Sequence, residues 1–353
     1  MTDVHAPATA VPWTQRIAET APWSPWRLAA ALASALLVIF LAAEISLDRL
    51  PLVFGGGDDP WAVDARVNFR ITLVLILLVA YLPAACADAV RSARRRVEEL
   101  APYLRGTSGG LIASVGRFEP AALRRAGWIG VAAAVAIPFW IDRTAGAWAV
   151  WRLTSEPIAE RMLLPAMGWL GGRFLYCIGA ESRRLSRIGR EHVRVDLLDL
   201  RSFAPLTRQG LRQALLTVGL LSIAGLYLYD YDKRGLFAVV AVSLAVGLGL
   251  AATALLLPLR GAHDAIAAAR RAELDWCDAA LRRARESLAA DGGARSPAPA
   301  VADLVAWRSL VAAVREWPVD APTLSRFVLY LAIPAGSWLG GAVVDLLVER
   351  VFG

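Results

Sequence analysis

Lysine is almost missing from this chain: Lys233 is the only one, so the 38 Lys+Arg residues are otherwise arginine. Histidine, cysteine and methionine are limited to three each. Each shortage narrows the chemistry. His5, His192 and His263 fall in the tails or loops of the apolar pattern described below, which leaves no imidazole for a proton relay inside a membrane. Cys86, Cys177 and Cys277 are far apart in sequence and lack metal-ligand spacing, so they read as reduced, packing thiols. Gly55-Gly56-Gly57 has no following Lys-Ser/Thr, so a phosphate-binding loop is unsupported. The His-Glu-x-x-His, paired Cys-x-x-Cys and kinase signatures are lacking. No catalytic residue, metal ligand or cofactor site is therefore expected.

What the chain has in excess is apolar length. Hydrophobic residues make up 57% of its 353 positions and mean hydropathy is +0.49. Soluble domains average roughly 45–50% apolar by a comparable count. A soluble core absorbs some surplus, but not several stretches approaching the roughly 20 apolar residues that cross a bilayer as a self-bonded helix. Such stretches are expected at about Leu28–Ile45, Ile71–Ala89, Gly127–Ile141, Met162–Ala180, Gln213–Tyr229, Leu236–Leu257 and Phe327–Leu347. The expectation is an all-α, polytopic membrane protein of about seven transmembrane helices with a cytoplasmic helical hairpin.

The net charge of +7 falls on the segments between these stretches. Arg91–Arg125, Glu181–Arg212 and Arg260–Arg326 are arginine-dense, and the alternate loops are short of basic residues. The positive-inside rule then puts the N-terminus in the cytoplasm and the C-terminus outside, as in a bacterial inner (plasma) membrane. Anionic lipid headgroups are the expected partner of these arginines, and nucleic acid is not. The chain divides into a cytoplasmic lead-in at 1–27, six spans with basic loops at 28–259, the helical hairpin at 260–326, and a last span with a short outer end at 327–353. Pro258 is expected to end or kink the sixth span. Val193–Leu197 alternates like a short strand but is too brief to carry one. Asp88–Arg95 resembles Asp264–Arg271, each just after a Leu-Pro pair, as a parallel duplication or a chance match in an Ala/Arg-rich chain.

Few residues stand out as sites. Arg173 lies mid-span, where an arginine costs roughly 2.5–3.5 kcal/mol. It is expected to face the protein interior and bond a carboxylate, helix-end carbonyls or water, the alternative being a side chain that snorkels to the headgroups. Asp345 is the acidic counterpart near the outer end of the last span. Gly168 and Gly172, Ser243-Gly247-Ala251, Ala245-Gly249-Thr253 and Gly336-Gly340 recur at every fourth position, which lets helices approach closely within a subunit or between subunits. Leu274, Cys277, Leu281, Ala284 and Leu288 form a heptad-like seam suited to assembly, and Leu304, Trp307, Val311 and Val314 share a second face. Asp58-Asp59 and Asp230/Asp232 read as exposed turn residues before an acidic pore mouth. Three functions fit: a homo-oligomeric channel or passive conduit for ions or small solutes, a scaffold docking a partner through its cytoplasmic helices, or a lipid-modifying enzyme.

Topology is directly measurable. Reporter fusions within Arg91–Arg125, Glu181–Arg212 and Arg260–Arg326 are expected to signal cytoplasm, and a periplasmic signal from any one of them overturns the map.

Overall fold

Helix boundaries have local causes. The computed structural model describes residues 24–54, 60–106, 109–144, 158–226, 236–290, 298–319, 322 and 324–332. Helix α1 (Pro25–Ser46) begins where Ser24 accepts a hydrogen bond from the Arg27 N–H and Pro25 presets the first helical φ. It ends at Asp48, whose φ of 52° turns the chain so that the Arg49 N–H reaches the Glu44 carbonyl at 3.0 Å. The other α-helices among the described residues are α2 (Leu50–Phe54), α3 (Pro60–Leu100), α4 (Gly109–Ser114), α5 (Pro120–Thr144), α6 (Ile158–Glu191), α7 (Ala204–Gly225), α8 (Leu236–Ala290) and α9 (Ala298–Ala313). Short 3-10 turns precede α4 and α7, and residues 324–332 are helical.

The chain is all-helical among the described residues. Val193, expected to start at most a brief strand, makes an isolated antiparallel bridge to Leu104, closed by Arg194 N–H to Tyr103 O at 2.9 Å. Pro83, Pro165 and Pro258 all sit inside helices. Pro258 therefore does not end the helix: α8 runs on to Ala290, past the boundary expected near residue 259.

Among the described residues, three helical segments are long and apolar enough to cross a membrane: Pro25–Ser46, Asn68–Tyr103 and Ala245–Glu286. Seven spans are not shown by length and composition among the described residues. Arg173, Trp169 and the glycines dilute α6, and Arg208, Gln209, Arg212 and Gln213 occupy the first half of α7. Most of the last expected span, with Asp345 and Gly336-Gly340, lies outside the described residues, as do Asp58-Asp59 and Asp230/Asp232. The apolar helices differ in their surroundings. Only 11% of the apolar window of α1 is buried against protein, with Val38, Ile39 and Ile45 exposed, whereas 72% of the α3 window is buried. An apolar, uncovered α1 suits lipid, and α3 is the centre of the packing.

Helices α3, α6, α8 and α7 form a closed ring, each packed on the next, with α1 outside α3, α5 outside α6 and α9 outside α8. Side-chain partners set the directions. Asp88 and Ser92 of α3 meet Arg212 and Gln209 of α7, so those two helices are antiparallel. Gly261 of α8 abuts Ser186 of α6 and Asp264 pairs with Arg190, so those two are parallel. Two apolar clusters are stacked inside. Leu82, Cys86, Phe174, Cys177 and Leu216 fill one, and Val97, Leu100, Leu185, Phe203, Leu206, Leu259 and Ile266 fill the other. The second cluster corrects the sequence reading, because the stretches expected as basic loops are continuations of α3 and α6 with their own core.

Glycine sets the closest helix approaches. A Cβ on Gly130 of α5 would lie 2.0 Å from the Gly168 carbonyl oxygen, and one on Gly172 2.1 Å from that of Ala126. The partner of the Gly168–Gly172 stripe is thus α5 of the same chain. At Gly261 the distance to Ser186 O would be 1.6 Å, so α6 and α8 touch backbone to backbone. Gly261→Ala is expected to cost at least about 1–3 kcal/mol by overpacking, read as a lower thermal midpoint in detergent. Gly249→Leu, where nothing lies within 4 Å of an added Cβ, is expected to leave the midpoint unchanged. A tolerated Gly261→Ala contradicts the packing described.

Candidate functional site at the junction of the two cores

Between the two apolar clusters the ring helices bring polar side chains together. Gln209, Gln213 and Thr217 recur every fourth residue on α7, and all three are buried. A buried amide needs its hydrogen bonds made inside the protein. Gln209 accepts from Ser92 Oγ at 2.7 Å and donates to the Ala89 carbonyl of α3 at 3.1 Å. Gln213 accepts from Ser182 Oγ of α6 at 2.7 Å, and Thr217 Oγ1 donates to the Gln213 carbonyl at 2.9 Å. One turn away, Arg212 Nε donates to Asp88 Oδ2 at 2.8 Å, and Tyr81 OH donates to the Leu216 carbonyl at 2.7 Å.

Glu181 is the most enclosed acid of this layer, only 1% exposed. Its Oε1 accepts from the Gly116 N–H at 2.8 Å and from Arg184 Nη1 at 2.5 Å. Arg184 is itself fixed by donating to the Arg117 carbonyl at 2.9 Å and by lying 5.9 Å from the Phe118 ring centroid. Glu181 Oε2 and Gln213 Nε2 have no hydrogen-bond partner among the described residues. Burial pushes the Glu181 carboxyl above its ordinary value of 4.5, opposed by Arg184, the Gly116 N–H and Arg94. The arrangement holds charge and hydrogen-bonding groups in fixed positions. It presents no nucleophile beside a base, and no cluster of three or more potential metal ligands occurs among the described residues.

A groove of 460 Å³ opens on the outer side of α8 at the same level. Thr253, Leu256 and Leu257 line its upper part, and Arg260, His263 and Trp317 its lower part. His263 stacks on Trp317 with ring centroids 4.4 Å apart and an 11° interplanar angle. Its Nδ1 lies 3.2 Å from the Glu316 carbonyl, a geometry that puts the proton on Nδ1.

The residues singled out from sequence are dispersed. Arg173 is half-buried, with its guanidinium 5.8 Å from the Trp169 ring centroid, and no described carboxylate or helix-end carbonyl pairs with it. Of the partners expected, a carboxylate, helix-end carbonyls or water, the first two are not found among the described residues, and the guanidinium makes a cation–π contact with its own helix. Gly247 packs on Leu221 of α7, but Gly249 faces open space. Leu274, Cys277 and Leu281 turn toward α9, whose Trp307 Nε1 donates to Glu273 at 2.8 Å and whose Arg308 pairs with Asp278 at 2.7 Å. That pairing holds the Asp278 carboxyl below its usual range. Leu288 is helical in α8, with its side chain outside the described set. All three cysteines are free and buried, and the fold brings Cys86 and Cys177 into hydrogen-bonding contact despite their separation in sequence.

The sequence reading missed Glu181, Ser182, Gln209, Gln213, the Asp88–Arg212 pair and the groove. The four-residue spacing of Gln209, Gln213 and Thr217 was the available signal, hidden by treating the stretch before Gln213 as a loop. No family model, no curated protein and no solved structure matches this chain.

The raised carboxyl gives a pH test. Stability from Glu181 is fully present below pH 4.5 and is lost as pH rises through the higher folded value, because the buried charged form is the costly one. Glu181→Gln removes this titration. The variant's thermal midpoint relative to wild type is expected to rise with pH above 4.5. A pH-independent difference contradicts the shift.

Proposed function

We propose that the chain is one subunit of a homo-oligomeric inner-membrane conduit for ions or small solutes, with about seven spans and its α8–α9 arm in the cytoplasm. The observation that carries this reading is α9. Besides the face of Leu304, Trp307, Val311 and Val314, it carries the apolar side chains Val305 and Leu310 on its exposed side, beside Asp303 and Ser309. Only one side meets α8; Val305 and Leu310 are more than half exposed, and Trp276 of α8 is too. A copy of the same chain would cover them by symmetry without another gene product.

The interior of the subunit bears on where a path would run. Leu82, Phe174, Cys177 and Leu216 fill the centre at the level of the apolar bundle. A close-packed centre leaves a path between subunits rather than through one. The same dry centre favours a second reading, a membrane-anchored scaffold that docks a partner through α8 and α9. Both readings use the same exposed face and differ in its occupant.

Leu310→Asp puts a charge on that face without touching the subunit core, since Leu310 is 57% exposed. Native mass spectrometry from mild detergent is expected to show wild-type oligomers and Leu310→Asp monomers with an unchanged thermal midpoint. Monomeric wild type under these conditions, or an oligomer indifferent to the substitution, overturns self-assembly through α9.

A further inference from the structure

We propose that the groove on α8 binds a single anionic phospholipid, its phosphate on Arg260 and an acyl chain along the open stripe above. The proposal starts from helical geometry. Thr253, Leu256, Leu257, Arg260 and His263 are spaced three or four residues apart or adjacent, so they occupy one face of α8. That face changes character from apolar to cationic over the seven-residue step from Thr253 to Arg260, roughly 10 Å of rise. Gly249 lies one turn further up, and nothing stands within 4 Å of where its side chain would be. From Gly249 to Arg260 the face measures roughly 16 Å. One leaflet of a bilayer whose hydrocarbon core is about 30 Å thick has nearly this depth.

Charge at the lower end selects the headgroup. The groove's own carboxylate, Asp264, is held by Arg190 of α6. Glu316, whose carbonyl faces His263, has its carboxylate bound by Arg270 at 2.7 Å. Both acids are neutralised by other arginines. Arg260 is exposed, and no ion pair or hydrogen bond to it occurs among the described residues. The groove is left with one uncompensated cation at its polar end, beside His263 and beneath leucines. Trp317, 42% exposed and stacked on His263, sits where an indole at the membrane–water boundary would sit. A free phosphate would use Arg260 alone. A phospholipid uses the cation, the leucines and the glycine gap together, and this is why the occupant is assigned as a lipid.

The assignment depends on α8 leaving the membrane near Pro258, not on conduction, so its test is independent of flux. Purified protein in nanodiscs of equal phosphatidylcholine and phosphatidylglycerol is released into detergent, and the lipids still bound are quantified by native mass spectrometry. Wild type is expected to retain phosphatidylglycerol over phosphatidylcholine by about fivefold, the scale of one basic residue's attraction to anionic lipid. Arg260→Ala is expected to remove that preference, while Arg201→Ala, an exposed arginine on the turn before α7, leaves it intact. Gly249→Leu, which has room within the subunit, is expected to lower retention of the lipid by obstructing the acyl path. Equal retention of the two lipids by wild type, an unchanged preference in Arg260→Ala, or complete displacement by millimolar inorganic phosphate each overturns the proposal.

Discussion

The backbone contact between α6 and α8 at Ser186 and Gly261 is the constraint on which the other features depend. No side chain larger than hydrogen fits at Gly261, so the two helices meet at one register and no other. That register brings Arg190 to Asp264 and closes Gly189 against Leu206 and Ala262. It also fixes the azimuth of α8: with one face turned into the ring, Thr253, Leu256 and Arg260 are turned out to form the groove, and Cys277 is turned toward α9. The arm, the groove and the lower core are consequences of one close approach.

The polar layer adds specificity to this packing. Apolar helices slide past one another at little cost, whereas a misplaced buried amide loses hydrogen bonds and costs about 1–3 kcal/mol. Gln209 and Gln213 tie α7 to α3 and α6 at neighbouring heights, and Arg212–Asp88 repeats the tie beside them. The two helices that carry the internal echo, α3 and α8, hold matching places in this scheme. Asp88 of α3 and Asp264 of α8 each bind an arginine from an adjacent ring helix, Arg212 and Arg190 respectively. The internal echo in the sequence thus corresponds to like roles at opposite positions of the ring, whether its origin is duplication or convergence on one packing solution.

The helical class was legible because runs such as Leu28–Ile45 and Ile71–Ala89 leave no other solution. Three of the apolar stretches carry that signal at full strength. Arg173 was conspicuous because a charge in an apolar run needs an explanation. Its contact with Trp169 was not foreseen, although the two are four residues apart on one helix. The lower core was illegible for a definite reason: arginines on the outer faces of α3 and α6 dominate the local composition. They mask Val97, Leu100, Leu185 and Ile188 on the inner faces. Long-range pairings such as Glu181 with Gly116, or Cys86 with Cys177, depend on the ring order of helices, which composition does not encode. Gly247 and Gly249 show the same limit at close range. Two residues apart, they face opposite environments, and only the position of α7 separates them.

The central claim is that assembled subunits enclose a path that no single subunit contains. Ion efflux from sealed liposomes loaded with potassium chloride tests it most directly, with purified protein reconstituted at a density that gives at least one oligomer per vesicle. The account predicts efflux well above protein-free vesicles, scaling with assembled oligomer and lost when assembly is blocked. Vesicles that contain verified oligomers and remain tight to both ions would contradict it and leave the α8–α9 face as a docking surface.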